Sequence, residues 1–218
     1  MEIKSFFQEL KKDKTKRIKF ITFLTMIYNF IWSVAKIIFG VFSTMFFFCL
    51  SGVITLLIGF IKKIFYNNIE HDSFKIKYKK SQIINILLII IGILFIVYML
   101  KLIFFPESSS YSIIASITIA AFSFGELGVS IYNIVQAKKT KDILLTNLRN
   151  CNFASALFAI VLTQTAILSA QGVDASLYNV ITGSIAGFVV VVIAVINLIL
   201  LKINKQKIEQ QTENKIEI

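Results

Sequence analysis

The sequence has few of the residues on which soluble enzymes and extracellular domains depend. Its 218 residues include one proline, one histidine, one tryptophan and two cysteines, and only 16% of them are charged. About a quarter of the residues in an ordinary soluble domain are charged, so this shortage excludes a soluble protein with a single core. A single proline and long apolar runs also exclude a disordered, linker-rich chain. The class that remains is a protein whose solvent is lipid.

Motifs that carry catalytic chemistry are missing as well. The sequence contains no phosphate-binding glycine loop, no zinc-ligand spacing, no haem attachment sequence and no nucleophile paired with a base. His71 stands between Glu70 and Asp72, but adjacent loop residues without a third converging ligand make a poor metal site. Cys49 and Cys151 fall at different depths of the predicted spans, so we expect no disulfide between them. We therefore expect neither an enzyme nor a bound cofactor.

Hydrophobic residues make up 56% of the chain and are gathered into six long runs. Each run is long enough to cross a hydrocarbon core, which takes about 20 helical residues. The second run is apolar around its whole circumference, as is typical of a spanning helix. The short connection 40–44 fits either one long, kinked segment or a tight hairpin between the first two runs, and we favour two helices with a hairpin. The predicted fold is an all-α polytopic bundle of six transmembrane helices, near 20–40, 42–61, 82–105, 111–136, 152–170 and 178–201.

The positions of the charges predict the orientation of these spans. All lysines and arginines except Lys36 and Lys101 fall in the N-terminal segment, in the loops after the second and fourth runs, or in the tail. The other three connections contain none, and Glu107 and Asp174 fall there. Lysine and arginine are retained on the cytoplasmic side of short loops, so both termini are predicted to be cytoplasmic. The expected location is the plasma (inner) membrane.

The same pattern divides the chain and limits its partners. We predict a basic cytoplasmic segment at 1–19, a six-span domain at 20–203 and a polar cytoplasmic tail at 204–218. The net charge of +11 comes mostly from lysines that flank apolar runs. A nucleic-acid module would instead interleave its lysines with aromatic residues on one surface. The expected partner is therefore the lipid bilayer and not a nucleic acid.

Three ionisable residues fall inside the predicted spans, where each is costly and needs a reason. Lys101 is near the outer end of the third span, where its long stem can reach the headgroups. Glu126 is the only acid within any predicted span and falls near the middle of the fourth. It is either a coupling or metal-coordinating group, or a neutral acid that hydrogen-bonds a neighbouring helix. Gly125 and Gly128 beside it predict a close approach between helices.

The third of these residues, Lys36, belongs to a polar face of the first span. Asn29, Ser33 and Lys36 recur at i, i+4 and i+7, which places them on one side of a helix and predicts that this side faces the bundle. Pairing of Lys36 with Glu126 is one hypothesis. It must bridge a difference in depth of about 10–15 Å, which the lysine stem offsets in part.

Further candidates for a binding or transport path lie in the other spans. Ser51 and Thr55 are in the second span, and Gln164 is in the fifth. Gly183 and Gly187 have the G-x-x-x-G spacing that permits close helix contact, so they are predicted to serve packing. The identity of any metal stays open.

The spacing of Asn29, Lys36 and Gly40 resembles the first span of the cation diffusion facilitator family, which often reads N-x6-K-x3-G. The segment 138–170, a basic loop that leads into an apolar span, is similar to the family's approach into its fifth helix. The resemblance implies a six-span domain that transports a divalent cation.

The chain departs from that family at the transport site. The family takes carboxylate or histidine ligands from its second and fifth spans. The corresponding positions here hold Ser51, Ile54 and Ile58 in the second span, and Cys151 and Ser155 in the fifth. The family's cytoplasmic metal-binding domain is also expected to be missing. The chain thus looks like a degenerate, ligand-poor relative, in which Glu126, Gln164 and hydroxyl groups would supply oxygen donors for a harder ion.

Three functional hypotheses follow. The first is a small transporter for a cation or small solute, as a monomer or a homodimer, with Glu126 as the coupling group and Lys36, Asn29 and Gln164 along the path. The second is a non-transporting scaffold or accessory subunit that has kept a transporter-like architecture. The third, a membrane-embedded enzyme acting on lipid, is the least favoured because paired catalytic groups at headgroup level are absent.

Overall fold

The computed structural model describes residues 13–42, 46–71, 73–105, 113–137, 142–174 and 176–216, apart from some side chains within the helices. These residues form six α-helices and no β-strand, which confirms the all-α prediction. The helices are α1 (Lys14–Phe42), α2 (Phe46–Asn68), α3 (Phe74–Phe104), α4 (Ile113–Ala137), α5 (Ile143–Ala170) and α6 (Ser176–Ile216).

Five helices, α1, α2, α3, α5 and α6, contain stretches that are long and apolar enough to cross a membrane. They fit a multi-pass integral membrane protein. The remaining helix, α4, has 25 residues and coincides with the predicted fourth span at 111–136. That α4 crosses the membrane, and that both termini are cytoplasmic, stay predictions.

Several helices extend beyond the apolar runs that predicted them. Helix α3 has 31 residues, or about 46 Å at the helical rise, whereas the hydrocarbon core is about 30 Å thick. The assignment of Lys62, Lys75 and Arg149 to loops is therefore wrong, because these residues lie in α2, α3 and α5. Backbone hydrogen bonding continues past the apolar runs and includes these charged residues. The predicted boundaries at 19/20 and 203/204 fall within α1 and α6, and residues 1–12 lie outside the described part of the chain, so the division into three segments stays a prediction.

The chain divides into two compact units, the first of which is 1–73. It holds α1 and α2 as an antiparallel pair, which confirms two helices at this point, although residues 43–45 of their connection lie outside the described residues. The two helices lie close together at Gly52: a Cβ there would lie 3.0 Å from the Ser33 carbonyl oxygen and 3.0 Å from the Ile37 nitrogen. The two backbones therefore touch. Phe30 and Phe60 stack edge to face a little farther along, with ring centroids 5.4 Å apart.

The second unit, 74–218, contains α3 to α6. Helix α5 contacts α3, α4 and α6, and α3 runs antiparallel against α6. A Cβ on Gly92 would lie 2.9 Å from the Gly187 carbonyl oxygen, and one on Gly187 would lie 3.0 Å from the Gly92 carbonyl oxygen. One on Gly183 would come within 2.6 Å of the Met99 sulfur. Gly183 and Gly187 thus lie in a close helix contact of the kind that their spacing predicts.

Gly125 and Gly128 have different surroundings. Both are exposed on α4, and a Cβ on either would meet no atom within 4 Å. The close approach expected at these two glycines is absent from the described part of the unit, because no neighbouring helix covers this face of α4 there.

The close contact at Gly92 and the exposed position of Gly128 predict different effects of alanine at these two glycines. Gly92→Ala should lower the free energy of unfolding by about 1–3 kcal/mol, because the new methyl group overpacks against backbone atoms. Gly128→Ala is the matched control and should leave stability unchanged or raise it by up to about 1 kcal/mol, through helix propensity. Thermal unfolding of the detergent-solubilised variants, followed by circular dichroism, measures both. A Gly92→Ala protein as stable as wild type would contradict the close contact.

Candidate functional site

Polar side chains between α1 and α2 form what we call the lysine seam: Asn29, Ser33, Lys36, Ser51, Thr55 and Lys62. Lys36 is only 7% exposed, and its Nζ donates to Ser51 Oγ at 3.2 Å and to Thr55 Oγ1 at 3.1 Å. Three of the predicted candidates therefore meet in one place. The lysine joins the two helices through hydroxyl groups that short side chains on α2 supply.

Lys62 also belongs to this seam, although the charge pattern of the sequence predicted that it lies in a loop. It is 6% exposed. With the Asn29 side-chain amide oriented to suit its neighbours, Asn29 Oδ1 accepts from Lys62 Nζ at 3.2 Å, and the amide nitrogen donates to the Thr25 carbonyl oxygen at 3.2 Å. Ser51, Thr55 and Lys62 recur at i, i+4 and i+11 and share a face of α2. That periodicity was the signal available in the sequence.

The rest of the predicted face of α1 is also buried. Asn29 is 2% exposed and Ser33 is fully buried, as their spacing with Lys36 predicts. Ser33 Oγ donates to the Phe30 carbonyl oxygen at 2.8 Å, so its hydrogen bond stays within α1. The described groups of the seam are hydroxyls, an amide and the amines of two lysines, and none of these side chains supplies an acidic oxygen for a metal ion.

The other predicted candidates belong to the second unit. Glu126 lies in α4, but its side chain is outside the described residues, so its pairing with Lys36 stays a prediction. Gln164 is half-buried in α5, and its Nε2 is buried without a hydrogen-bond partner in the described part of the chain. Within the described ranges, no group of three or more His, Cys, Asp or Glu side chains is placed to hold a metal ion. No disulfide joins Cys49 to Cys151.

Sequence reasoning missed a second polar group, between α3 and α5, which we call the amide cluster: Ser81, Asn85 and Asn147. Ser81 and Asn85 are fully buried and Asn147 is 1% exposed. Asn85 Nδ2 donates to Asn147 Oδ1 at 2.9 Å and to the Ser81 carbonyl oxygen at 2.8 Å, while Asn147 Nδ2 donates to Ser81 Oγ at 2.6 Å. Asn85 Oδ1 is buried and accepts no hydrogen bond from the described residues.

Charged and aromatic side chains also join α3 to α5 and to α6 near one end of these helices. Lys77 Nζ on α3 lies 2.6 Å from Asp142 Oδ2 at the start of α5. Asp142 Oδ1 also accepts from the backbone nitrogens of Leu144 at 2.8 Å and Leu145 at 3.1 Å, so one carboxylate caps α5 and pairs with α3. On α6, Lys205 Nζ lies 5.7 Å from the ring centroid of Tyr78 on α3.

Helix α5 carries buried polar groups over most of its length. The residues concerned are Asn147, Asn152, Ser155, Thr163 and Thr165, all no more than 7% exposed. From Asn147 to Thr165 they extend about 27 Å along the helix axis. Near the far end, Thr165 Oγ1 donates to Asn179 Oδ1 on α6 at 2.8 Å. Among the candidate spans found in the described residues, the one in α5 is the most deeply buried, and it carries these polar side chains.

The side chain of Asp174, which precedes α6, caps the start of that helix. Asp174 Oδ1 accepts from the Ser176 backbone nitrogen at 2.9 Å. This hydrogen bond from the Ser176 backbone favours the ionised carboxylate and lowers the pKa of Asp174 below its ordinary value of 3.8. The cap is therefore present at neutral pH and is lost as the pH falls through this lowered pKa.

Comparison with known proteins adds no family to these observations. No protein-family model matches the chain, and no curated protein matches it. The similarity to cation diffusion facilitators thus rests on the positions named above and stays a prediction.

The double role of Asp142 predicts graded effects of two substitutions. Asp142→Ala removes the cap and the ion pair and should cost about 1–2 kcal/mol of stability. Asp142→Asn keeps a good capping group and loses only the pair, so we expect a cost below about 1 kcal/mol. Thermal unfolding of the two proteins decides this. Equal losses for Asn and Ala would show that α5 is not capped in this way.

Proposed function

We propose that the protein is a small multi-pass transporter for a cation or other small solute, with six spans and both termini in the cytoplasm of a plasma (inner) membrane. The observation that carries this proposal is the series of buried polar side chains along α5, from Asn147 to Thr165. Their extent of about 27 Å is comparable to the hydrocarbon thickness of about 30 Å. Polar groups inside a membrane bundle mark solute pathways or bind helices together.

Two features support a cation as the solute. Glu126 is the acid of the predicted spans, and it belongs to α4, which packs against α5. The N-x6-K-x3-G spacing at Asn29, Lys36 and Gly40 is similar to that of a cation-transporting family. Oxygen donors from Glu126, Gln164 and hydroxyl groups would suit a hard ion such as Mg²⁺ or Mn²⁺.

A non-transporting scaffold or accessory subunit is the second candidate. The lysine seam favours it, because Lys36 bonds Ser51 and Thr55 across the α1–α2 contact, and such bonds hold helices together without any solute. This reading expects a partner protein that co-purifies and a stability that no solute changes.

The proposed topology has a direct test. Alkaline phosphatase, which is active only outside the cytoplasm, is fused after Asp174 or after Lys207. Because lysines are retained in the cytoplasm, we expect activity from the first fusion and none from the second. Activity from both, or from neither, would contradict six spans with a cytoplasmic C-terminus.

The cation version predicts a stabilising metal ion. A ligand that binds the folded protein raises its apparent stability by about 2.7 kcal/mol at 100 times its dissociation constant. We expect Mg²⁺, Mn²⁺ or Zn²⁺ to raise the unfolding temperature of the solubilised protein, and the rise to vanish in Glu126→Gln. Glu107→Gln, an acid outside the predicted spans, is the matched control and should keep it.

Flux into proteoliposomes is measured beside this titration. Metal uptake by the wild type that Glu126→Gln abolishes, with folding retained, supports the transporter. No metal-dependent shift and no flux of any solute would favour the scaffold.

A further inference from the structure

Helices α3 and α6 present a basic surface at the end of the second unit where Lys205 Nζ lies 5.7 Å from the ring centroid of Tyr78. Lys75, Lys79, Lys202 and Lys205 are all exposed there. We propose that this surface, which we call the basic groove, binds the headgroup of an anionic phospholipid. The side chains that define the basic groove are Lys75, Tyr78, Lys79, Gln82, Lys202 and Lys205.

The α3 residues of the basic groove face away from α5. Positions 75, 78, 79 and 82 recur at i, i+3, i+4 and i+7, so they share one side of the helix. A different side of α3 meets α5, because Ser81 Oγ accepts from Asn147 Nδ2 at 2.6 Å. Lys79 is about 160° around α3 from Ser81. The groove is therefore separate from the amide cluster.

Helix α6 contributes its lysines from the side that meets α3. Lys205 follows Gly187, which packs against α3, by eighteen residues, or about five turns, so the two residues share one side of α6. Lys202 precedes Lys205 by three residues and lies on the adjoining face. Because the two helices are antiparallel, the Tyr78–Lys205 contact brings all four lysines within about 9 Å of one another along the helix axes.

Acidic side chains near this end lie elsewhere. Asp142 is on the α5 side, where it pairs with Lys77. Glu209 lies one turn beyond Lys205, toward the end of α6, and its side chain is outside the described residues. Lysines as close together as those of the groove repel one another, and a phosphate among them offsets this repulsion. The groove thus suits an anion.

Tyr78 and Gln82 add neutral hydrogen-bonding groups among the lysines. The Tyr78 hydroxyl accepts from Gln82 Nε2 at 3.2 Å and can donate its own O–H to a phosphate oxygen. Tyrosine is enriched where a spanning helix meets the headgroups, because its ring is apolar and its hydroxyl is polar. The basic groove therefore combines positive charge with a directional donor for a phosphate.

Apolar side chains continue the same surface and favour a lipid over a free phosphate. Ile86, one turn past Gln82 on α3, is exposed, and so are Ile199 and Val195, which precede Lys202 by three and seven residues on α6. A phospholipid has the complementary arrangement, with its phosphate among the lysines and its acyl chains along these apolar side chains. Basic clusters between spanning helices bind anionic headgroups in this manner.

The groove lies at the C-terminal end of α6, which the proposed topology places in the cytoplasm. The bound lipid then belongs to the cytoplasmic leaflet. This location rests on the proposed function, whereas binding of the lipid requires only that α3 and α6 cross the membrane.

Binding is tested on the solubilised full chain by thermal unfolding, with dioleoylphosphatidylglycerol as the probe. Dioleoylphosphatidylcholine, which has the same acyl chains and no net charge, is the control lipid, and sodium phosphate at constant ionic strength is the third probe. The variant Lys79→Gln/Lys202→Gln removes two charges from the groove. Lys80→Gln/Lys207→Gln is its matched control, because it removes two charges at the same end from other sides of the two helices.

We expect phosphatidylglycerol to raise the unfolding temperature of the wild type and of Lys80→Gln/Lys207→Gln more than phosphatidylcholine does. The apparent affinity for phosphatidylglycerol should fall about tenfold or more in Lys79→Gln/Lys202→Gln, because each lysine at a membrane surface contributes to the attraction of anionic lipid. Equal effects of the two lipids overturn the inference. Equal losses of affinity in the two double variants also overturn it, since they show only a general attraction of anionic lipid to this end.

Two other occupants of the groove give different results, and either result overturns the lipid as the ligand. Free phosphate as the ligand predicts a stabilisation by sodium phosphate that Lys79→Gln/Lys202→Gln removes, without a preference between the two lipids. A second copy of the chain predicts an unfolding temperature that rises with protein concentration and not with phosphatidylglycerol.

Flux into proteoliposomes separates this inference from the proposed function. Binding of phosphatidylglycerol that depends on the basic groove, without flux of any solute, upholds the lipid site and counts against the transporter. Flux by a protein that shows no preference between the two lipids supports the transporter and overturns the lipid site.

Discussion

Inside helices that cross a membrane, a polar side chain must find its hydrogen-bond partner within the protein, because lipid offers none. This constraint accounts for the helix contacts of both units. Lys36 reaches the hydroxyls of Ser51 and Thr55, and Thr165 reaches Asn179. Each of these hydrogen bonds joins two particular residues and therefore sets the register of one helix against another. Apolar side chains do not set the register in this way, because they contact lipid and a neighbouring helix about equally well.

Close approach between helices is the condition for these short bonds. Serine, threonine and asparagine side chains extend only a few ångströms, so their helices must lie near each other. Gly52 brings α2 against α1 at the level where Lys36 binds Ser51, and the Gly92–Gly187 contact brings α3 against α6 two turns from Asn85. Small residues and polar residues thus act together: the glycines permit the distance, and the polar groups select the alignment.

Features that depend on a single helix, such as its buried face and its approximate position in the chain, could be predicted from the sequence. The spacing of Asn29, Ser33 and Lys36 was enough to assign their common buried face, and the lengths of the apolar runs were enough to place the helices. Features that depend on which helices pair were not accessible. Asn85 and Asn147 are 62 residues apart and become partners only because α3 lies beside α5. Lys62 was misplaced because hydropathy marks where the apolar run ends, whereas the helix continues to Asn68.

The two groups of buried polar side chains differ in composition, and this difference bears on the proposed function. The lysine seam contains two buried lysines, and the amide cluster is made of serine and asparagine side chains. Neither provides a negative charge to balance a cation. A cation carried by the proposed transporter would therefore need an acidic group from elsewhere, and Glu126, the acid of the predicted spans, lies on α4, which packs against α5.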